Sequence, residues 1–170
     1  MDFVKTKEIL KTIKELKKDS KKTILKTLDL AENIEITSKE FYEKEAKKNN
    51  GNELESFFLF LKKEEEMHLE KIRELQEMLK SKKELKKIKF SNNIGKKIIN
   101  TKIGKEEMTV LLYALWREKQ AQEFYEKAGK KTIGIIKEFF EELTKFEKEH
   151  VLLLEEYVES MGNVKELIMG

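Results

Sequence analysis

Apolar residues recur along this chain in steps of three and four, with polar residues filling the positions between them. That is the spacing of amphipathic α-helices, and four long stripes can be followed. The first runs Leu28, Ala31, Glu35, Ser38, Tyr42 and meets a stop at Asn49-Asn50-Gly51, which predicts a helix over 20–50. Asn52 with Glu55 three residues on has the form of a capping box. It opens a second helix over 52–80, whose stripe is Leu54, Phe58, Leu61, Glu65, His68, Ile72, Leu75, Leu79. A third helix, 105–129, carries Leu111, Ala114, Glu118, Ala121, Tyr125 and is expected to stop near Gly129. The fourth, 132–162, carries Ile136, Phe140, Leu143, Glu147, His150, Leu154, Tyr157, Met161. A shorter stripe, Phe3, Ile9, Leu10, Ile13, Leu16, predicts an accessory helix over 1–18, with Asp19-Ser20 placed to end it and to cap its successor. From Ser81 to Gly104 the periodicity fades, and Ser91-Asn92-Asn93-Ile94-Gly95 marks irregular backbone, so 81–104 is read as one long connection.

The two halves repeat each other. Glu35 and Glu118 lie 83 residues apart, His68 and His150 lie 82 apart, and Glu-Phe-Tyr-Glu-Lys occurs unchanged at Glu40 to Lys44 and at Glu123 to Lys127. Two helix pairs, each with a short loop, joined by a long link, have the connectivity of a four-helix bundle with one crossover between its second and third helices. The expectation is one all-α domain over 1–170. Its 170 residues suit a single core.

Composition narrows the chemistry. There is no Pro, there are only 7 Gly, and 41% of residues are charged, which suits helices and gives no strand signal. With no Cys, a disulfide framework, a thiolate metal site and a cysteine nucleophile are excluded, so any metal must be held by oxygen and imidazole. No uninterrupted apolar run follows the start, so neither a signal peptide nor a membrane span is read, and the cytoplasm is the expected compartment.

The only two histidines each follow a glutamate by three positions, in Glu65-Glu-Met-His68 and Glu147-Lys-Glu-His150. Residues three apart on a helix sit about 60° apart around its axis, so both side chains can reach one ion. Glu35, Glu65, Glu118, Glu147, His68 and His150 all fall mid-stripe, at matching places in the halves, where an unpaired charge would be strongly destabilising. Glu64 and Glu66 read as acids that a Glu-rich chain places by chance, without a role in the cluster. No Lys or Arg falls on the stripes between the six. Four carboxylates with two neutral imidazoles are balanced by two divalent cations, and such a donor set suits iron or manganese, with zinc also compatible. Tyr42 and Tyr125 lie two turns from Glu35 and Glu118 on the same stripes and are the candidate catalytic groups outside the ligands, each able to reach a carboxylate across the bundle. Trp116 lies roughly opposite Glu118 around its helix, a placement for packing against an extra helix or a second subunit.

Lys80 to Lys105 hold ten Lys and one acid, Glu84, in a chain of net charge +3. This strip is a candidate surface for an external electron-transfer protein. Nothing points to nucleic acid as a partner.

On these residues the chain, over about 20–162, resembles the ferritin-like superfamily, and within it the rubrerythrin-type di-iron carboxylate proteins, in which two helices each give a Glu and two give Glu-x-x-His. The resemblance implies two iron ions bridged by Glu65 and Glu147, with Glu35 and His68 on one and Glu118 and His150 on the other. It implies a non-haem di-iron oxidoreductase that reduces hydrogen peroxide or dioxygen with electrons from an external donor, as a homodimer in the cytoplasm. The alternatives are a bacterioferritin-type ferroxidase or iron store and a manganese catalase-like enzyme. Two features depart from the rubrerythrin pattern: Ala121 stands where a further ligand Glu is expected, and these 170 residues hold no cysteine with which to form the rubredoxin module's site.

Overall fold

A computed structural model describes residues 20–81, 84–91 and 104–160. Four helices make up the fold: α1 (Lys21–Lys48), α2 (Glu53–Lys80), α3 (Lys105–Lys131) and α4 (Gly134–Ser160). The accessory helix expected over 1–18, parts of the 81–104 connection and the residues past 160 lie outside the described set. Helix α1 packs along α2, and α3 along α4, as two antiparallel hairpins. Tyr42 of α1 bonds Glu118 of α3, and Tyr125 of α3 bonds Glu35 of α1, so these two helices run in opposite directions. Phe57 of α2 stacks on Tyr157 of α4 at 4.1 Å while His68 meets Phe146 at 5.2 Å, so α2 and α4 are antiparallel too. It follows that α2 and α3 point the same way.

The helix boundaries follow local chemistry. Asn52 accepts a hydrogen bond from the Glu55 backbone N–H at 3.2 Å, and the Glu55 carboxylate in turn takes the N–H of Gly51 at 2.8 Å. Gly51 has φ 85°, which turns the chain out of α1 at little steric cost. Asn52→Ala removes this cap and is expected to cost about 1 kcal/mol, lowering Tm by about 2–4 °C in a thermal melt. Helix α3 overruns its expected stop. Gly129 stays helical and packs beside Phe140, two lysines extend the helix, and the left-handed residue is Gly134, φ 57°. A glycine alone does not end a helix whose next residues are good helix formers.

Two apolar clusters form the core. One gathers Ile24 to Ile34 of α1, Ile72 to Leu79 of α2, Ala121 to Ala128 of α3 and Ile136 to Leu143 of α4. The other gathers Tyr42 and Ala46, Leu54 to Leu61, Met108 to Ala114, and Leu154 to Val158. Each fully buried Leu or Phe contributes about 1.5–3 kcal/mol, which offsets the burial of polar groups between the clusters. Residues 84–91, part of the long connection, take no helical form. Ile88 is buried, Lys87 pairs with Glu138 at 3.2 Å, Phe90 contacts Phe139 and Phe146 at 5.5 and 5.3 Å, and Ser91 reaches Met67. The segment therefore climbs the groove between α2 and α4, with Lys86, Lys87 and Lys89 facing out. Among the described residues no helix is long and apolar enough to cross a membrane.

Candidate metal centre

Between the two apolar clusters, one level of the bundle is polar. Glu35 comes from α1, Glu65 and His68 from α2, Glu118 from α3, and Glu147 and His150 from α4; none is more than 3% exposed. Helical periodicity alone sends them inward, since each replaces an apolar residue on a stripe whose neighbours above and below are core.

The six form two overlapping groups. His68 Nδ1 lies 3.6 Å from Glu35, 3.5 Å from Glu65 Oε2 and 3.3 Å from Glu147 Oε1. His150 Nδ1 lies 3.3 Å from Glu118, 3.6 Å from Glu65 Oε1 and 3.5 Å from Glu147 Oε2. Glu65 and Glu147 thus turn one oxygen to each histidine, while Glu35 and Glu118 each serve one. The rings stack at 5.4 Å. In each group of four the ligand atoms lie within 4.8 Å of one another, a span that one ion with bonds of about 2.0–2.2 Å can nearly bridge.

The donors fit such ions. Glu35 Oε2, Glu65 Oε1, both Glu147 oxygens and both His68 nitrogens are buried without a hydrogen-bond partner, a cost that isolated polar groups do not normally bear. Where no cation is bound, protons take its place. Burial, then the charges of Glu35 and Glu118, push the Glu147 carboxyl up to about 7. Burial opposes a charged His150, but the nearby carboxylates of Glu118 and Glu147 raise it to about 9. His68 is raised in the same way, by Glu147, Glu35 and Glu65 acting against burial. Glu65 goes up through burial and the charges of Glu35, Glu118 and Glu147. Burial would raise Glu118, yet its close contacts with His150 and Glu147 bring it down to about 2, and Glu35 is lowered likewise by Glu65 and His68. Protons that gather where cations would sit mark a cluster built around positive charge.

The tyrosines close the site across the bundle. Tyr42 donates to Glu118 and Tyr125 donates to Glu35, so each hairpin holds the other's glutamate. Burial, with the charges of Glu118 on Tyr42 and of Glu35 on Tyr125, raises both phenols, which therefore stay donors. Phe146, backed by Phe90, covers the His68 ring.

Three features escape the stripes. Glu64, read as a chance acid, is 3% exposed with Oε2 lacking a hydrogen-bond partner, whereas Glu66 is exposed. Arg117, beside Glu118, is buried at the edge of the stripe, where it donates to Thr37 at 3.2 Å and Ser38 at 3.1 Å. Trp116 is 43% exposed and stacks on Tyr113. The burial of Glu64 and Arg117 could have been suspected only from their position one residue off the stripe. No family model, curated protein or solved structure matches the chain, so the reading of this site rests on its own residues.

Proposed function

We propose that the protein is a non-haem di-iron oxidoreductase, ferritin-like and of rubrerythrin type, that reduces hydrogen peroxide or dioxygen with electrons from an external donor. The observation that carries this reading is the paired geometry: each histidine has a glutamate of its own, and Glu65 and Glu147 are divided between them. Glu35, Glu65, His68 and Glu147 would hold one ion, and Glu65, Glu118, Glu147 and His150 the other. Iron suits mixed carboxylate and imidazole donors, and a ferrous pair supplies the two electrons that convert peroxide to water.

The protein's own groups do the rest. Tyr42 and Tyr125 fix Glu118 and Glu35 and keep those carboxylates aimed inward. Apolar clusters on both sides, with Phe146 and Phe90 over His68, exclude bulk water from the oxidant's site. In this reading the connection 81–104 would be the long crossover of the fold. The parallel directions of α2 and α3 and the packing of 84–91 against α4 support that reading.

Anaerobic titration of the reduced, iron-loaded protein tests the reading. Two ferrous ions per chain are expected to be oxidised by each peroxide, faster than free ferrous ion under the same conditions. A rate no greater than that of the free ion removes the proposal. Size in solution separates the expected homodimer from a storage cage of many subunits.

A further inference from the structure

The surroundings of the two cluster tyrosines match for one shell and then diverge. Phe41 meets Tyr42 edge-on at 5.2 Å, and Phe124 meets Tyr125 edge-on at 5.3 Å. Phe58 stacks on Tyr42 at 6.1 Å, and Phe140 on Tyr125 at 6.3 Å. Beyond this the first half acquires two more rings. Tyr113 meets Phe41 edge-on at 5.4 Å, and Trp116 stacks on Tyr113 at 5.7 Å with the planes 20° apart. In the register that lays Glu118 on Glu35, Tyr113 and Trp116 fall on Leu30 and Asn33, so the other half has no aromatic residue at either place. Tyr113 is 40% and Trp116 43% exposed. Among the described residues, the series of touching rings that begins at exposed side chains thus runs Trp116, Tyr113, Phe41, Tyr42, then Glu118. The other half has a series from half-buried Phe90 through Phe139 and Phe140 to Tyr125 and Glu35, whose outer three rings are all phenyl.

We propose that Trp116, Tyr113, Phe41 and Tyr42 are the electron route between the protein surface and the buried metal pair. The proposal rests on the reading of that pair as redox-active. Its external donor would be a one-electron carrier meeting the Trp116 face. In the working direction one electron passes from the reduced carrier to a ferric ion, giving the oxidised carrier and a ferrous ion, and no bond is made or broken. All the rings are within the 4.5–7 Å centroid spacing of touching aromatic pairs, so the electron crosses no open gap between Trp116 and Tyr42. Indole and phenol are readily oxidised side chains and phenyl is not, so Phe41 serves as a bridge. The Arg117 guanidinium lies 5.2 Å from the Phe41 ring and 5.8 Å from the Tyr113 ring. Its positive charge disfavours an electron-deficient ring at either position, so an electron vacancy on this route is held outward, on Trp116. The exposed indole, whose position on α3 suggested only packing, thereby gains a use that the inner rings cannot fill.

The chain has one Trp, so a tryptophan radical has one possible origin. Pulse radiolysis with the dibromide radical anion takes one electron from the Trp116 indole, which releases its proton to water, and the radical's absorbance is followed in anaerobic protein loaded with ferrous iron or with zinc. The radical is repaired when it regains one electron from a ferrous ion, which becomes ferric, and one proton from water. The expected result is decay several-fold faster in the ferrous protein than in the zinc protein and independent of protein concentration. Phe41→Leu returns the decay toward the zinc rate, while Phe124→Leu, the same change in the half without the outer Tyr and Trp, leaves it fast; metal content is measured for each. Equal decay in the ferrous and zinc forms of the parent protein overturns the route, as does equal slowing by the two Leu variants. If iron is bound and oxidised by peroxide while the radical ignores the metal, the route alone falls. If the chain binds no iron, the route and the functional reading fall together.

Discussion

Glu147→Gln is expected to lower the metal content from two ions per chain to one or fewer, while the metal-free protein becomes more stable. Glu147 faces both histidines, Oε1 at 3.3 Å from His68 and Oε2 at 3.5 Å from His150. An amide of the same shape has one acceptor and one donor, so it can turn oxygen to one ion only and presents N–H to the other. Loss of a group that supports a ligand already costs about 10–100-fold in affinity, and loss of a ligand should cost at least as much. Glu35→Gln touches only the His68 group and is expected to weaken one ion and spare the other. Without metal the sign reverses. Burial, then the charges of Glu35 and Glu118, push the Glu147 carboxyl up to about 7, so above that pH a neutral side chain of equal volume relieves the cost of a buried, repelled charge. Elemental analysis after dialysis and thermal melts in chelator measure the two effects. Tight retention of two ions by the Gln variant would refute the shared position of Glu147.

The second large effect is a pH dependence that metal removes. In the metal-free protein Glu147 titrates at about 7 against 4.5 for a free side chain, and His150 at about 9 against 6.5. Glu65 and His68 are raised as well. A group with a raised folded value binds more protons folded than unfolded, so its stabilisation is full below the unfolded value and is lost as pH rises through the folded one. Metal-free stability should therefore fall from pH 4.5 to 7 through Glu147 and from 6.5 to 9 through His150. His150 alone accounts for on the order of 3 kcal/mol, about 10 °C in Tm. Glu118, at about 2, acts oppositely: its contribution is complete above 4.5 and is lost as the solution is acidified toward 2. The metal-free optimum then lies in mild acid, near pH 4.5–5. With two divalent ions bound, the cations replace the protons, and metal affinity rises with pH as ligands deprotonate. Melting curves at pH 6 and pH 9, with and without metal, should diverge, and parallel curves would contradict the buried-charge account.

The six cluster residues were legible because a stripe of steps three and four fixes which way a side chain points to within about a quarter turn. Glu65 and His68, or Glu147 and His150, could hardly be inward without meeting the other pair. The Tyr42 and Tyr125 bonds were legible for the same reason. What the stripe could not resolve lay at its edges. Glu64 and Arg117 each sit one residue from a cluster glutamate, where burial depends on how closely the neighbouring helix approaches. Ile88 and Phe90 belong to a segment with no period at all, so nothing local announced that they pack against α4 and Phe146. The link from the Trp116 and Tyr113 stack to the cluster required knowing that Tyr113 of α3 lies beside Phe41 of α1, a matter of helix pairing that one-dimensional spacing does not contain.

The exchange of tyrosines between hairpins gives the molecule a built-in control. Glu35 and Glu118, His68 and His150, Tyr42 and Tyr125, Phe41 and Phe124 are counterparts in near-equal settings, so each substitution has a twin that differs mainly in what lies further out. A difference in behaviour between twins measures the influence of those outer surroundings within a single chain.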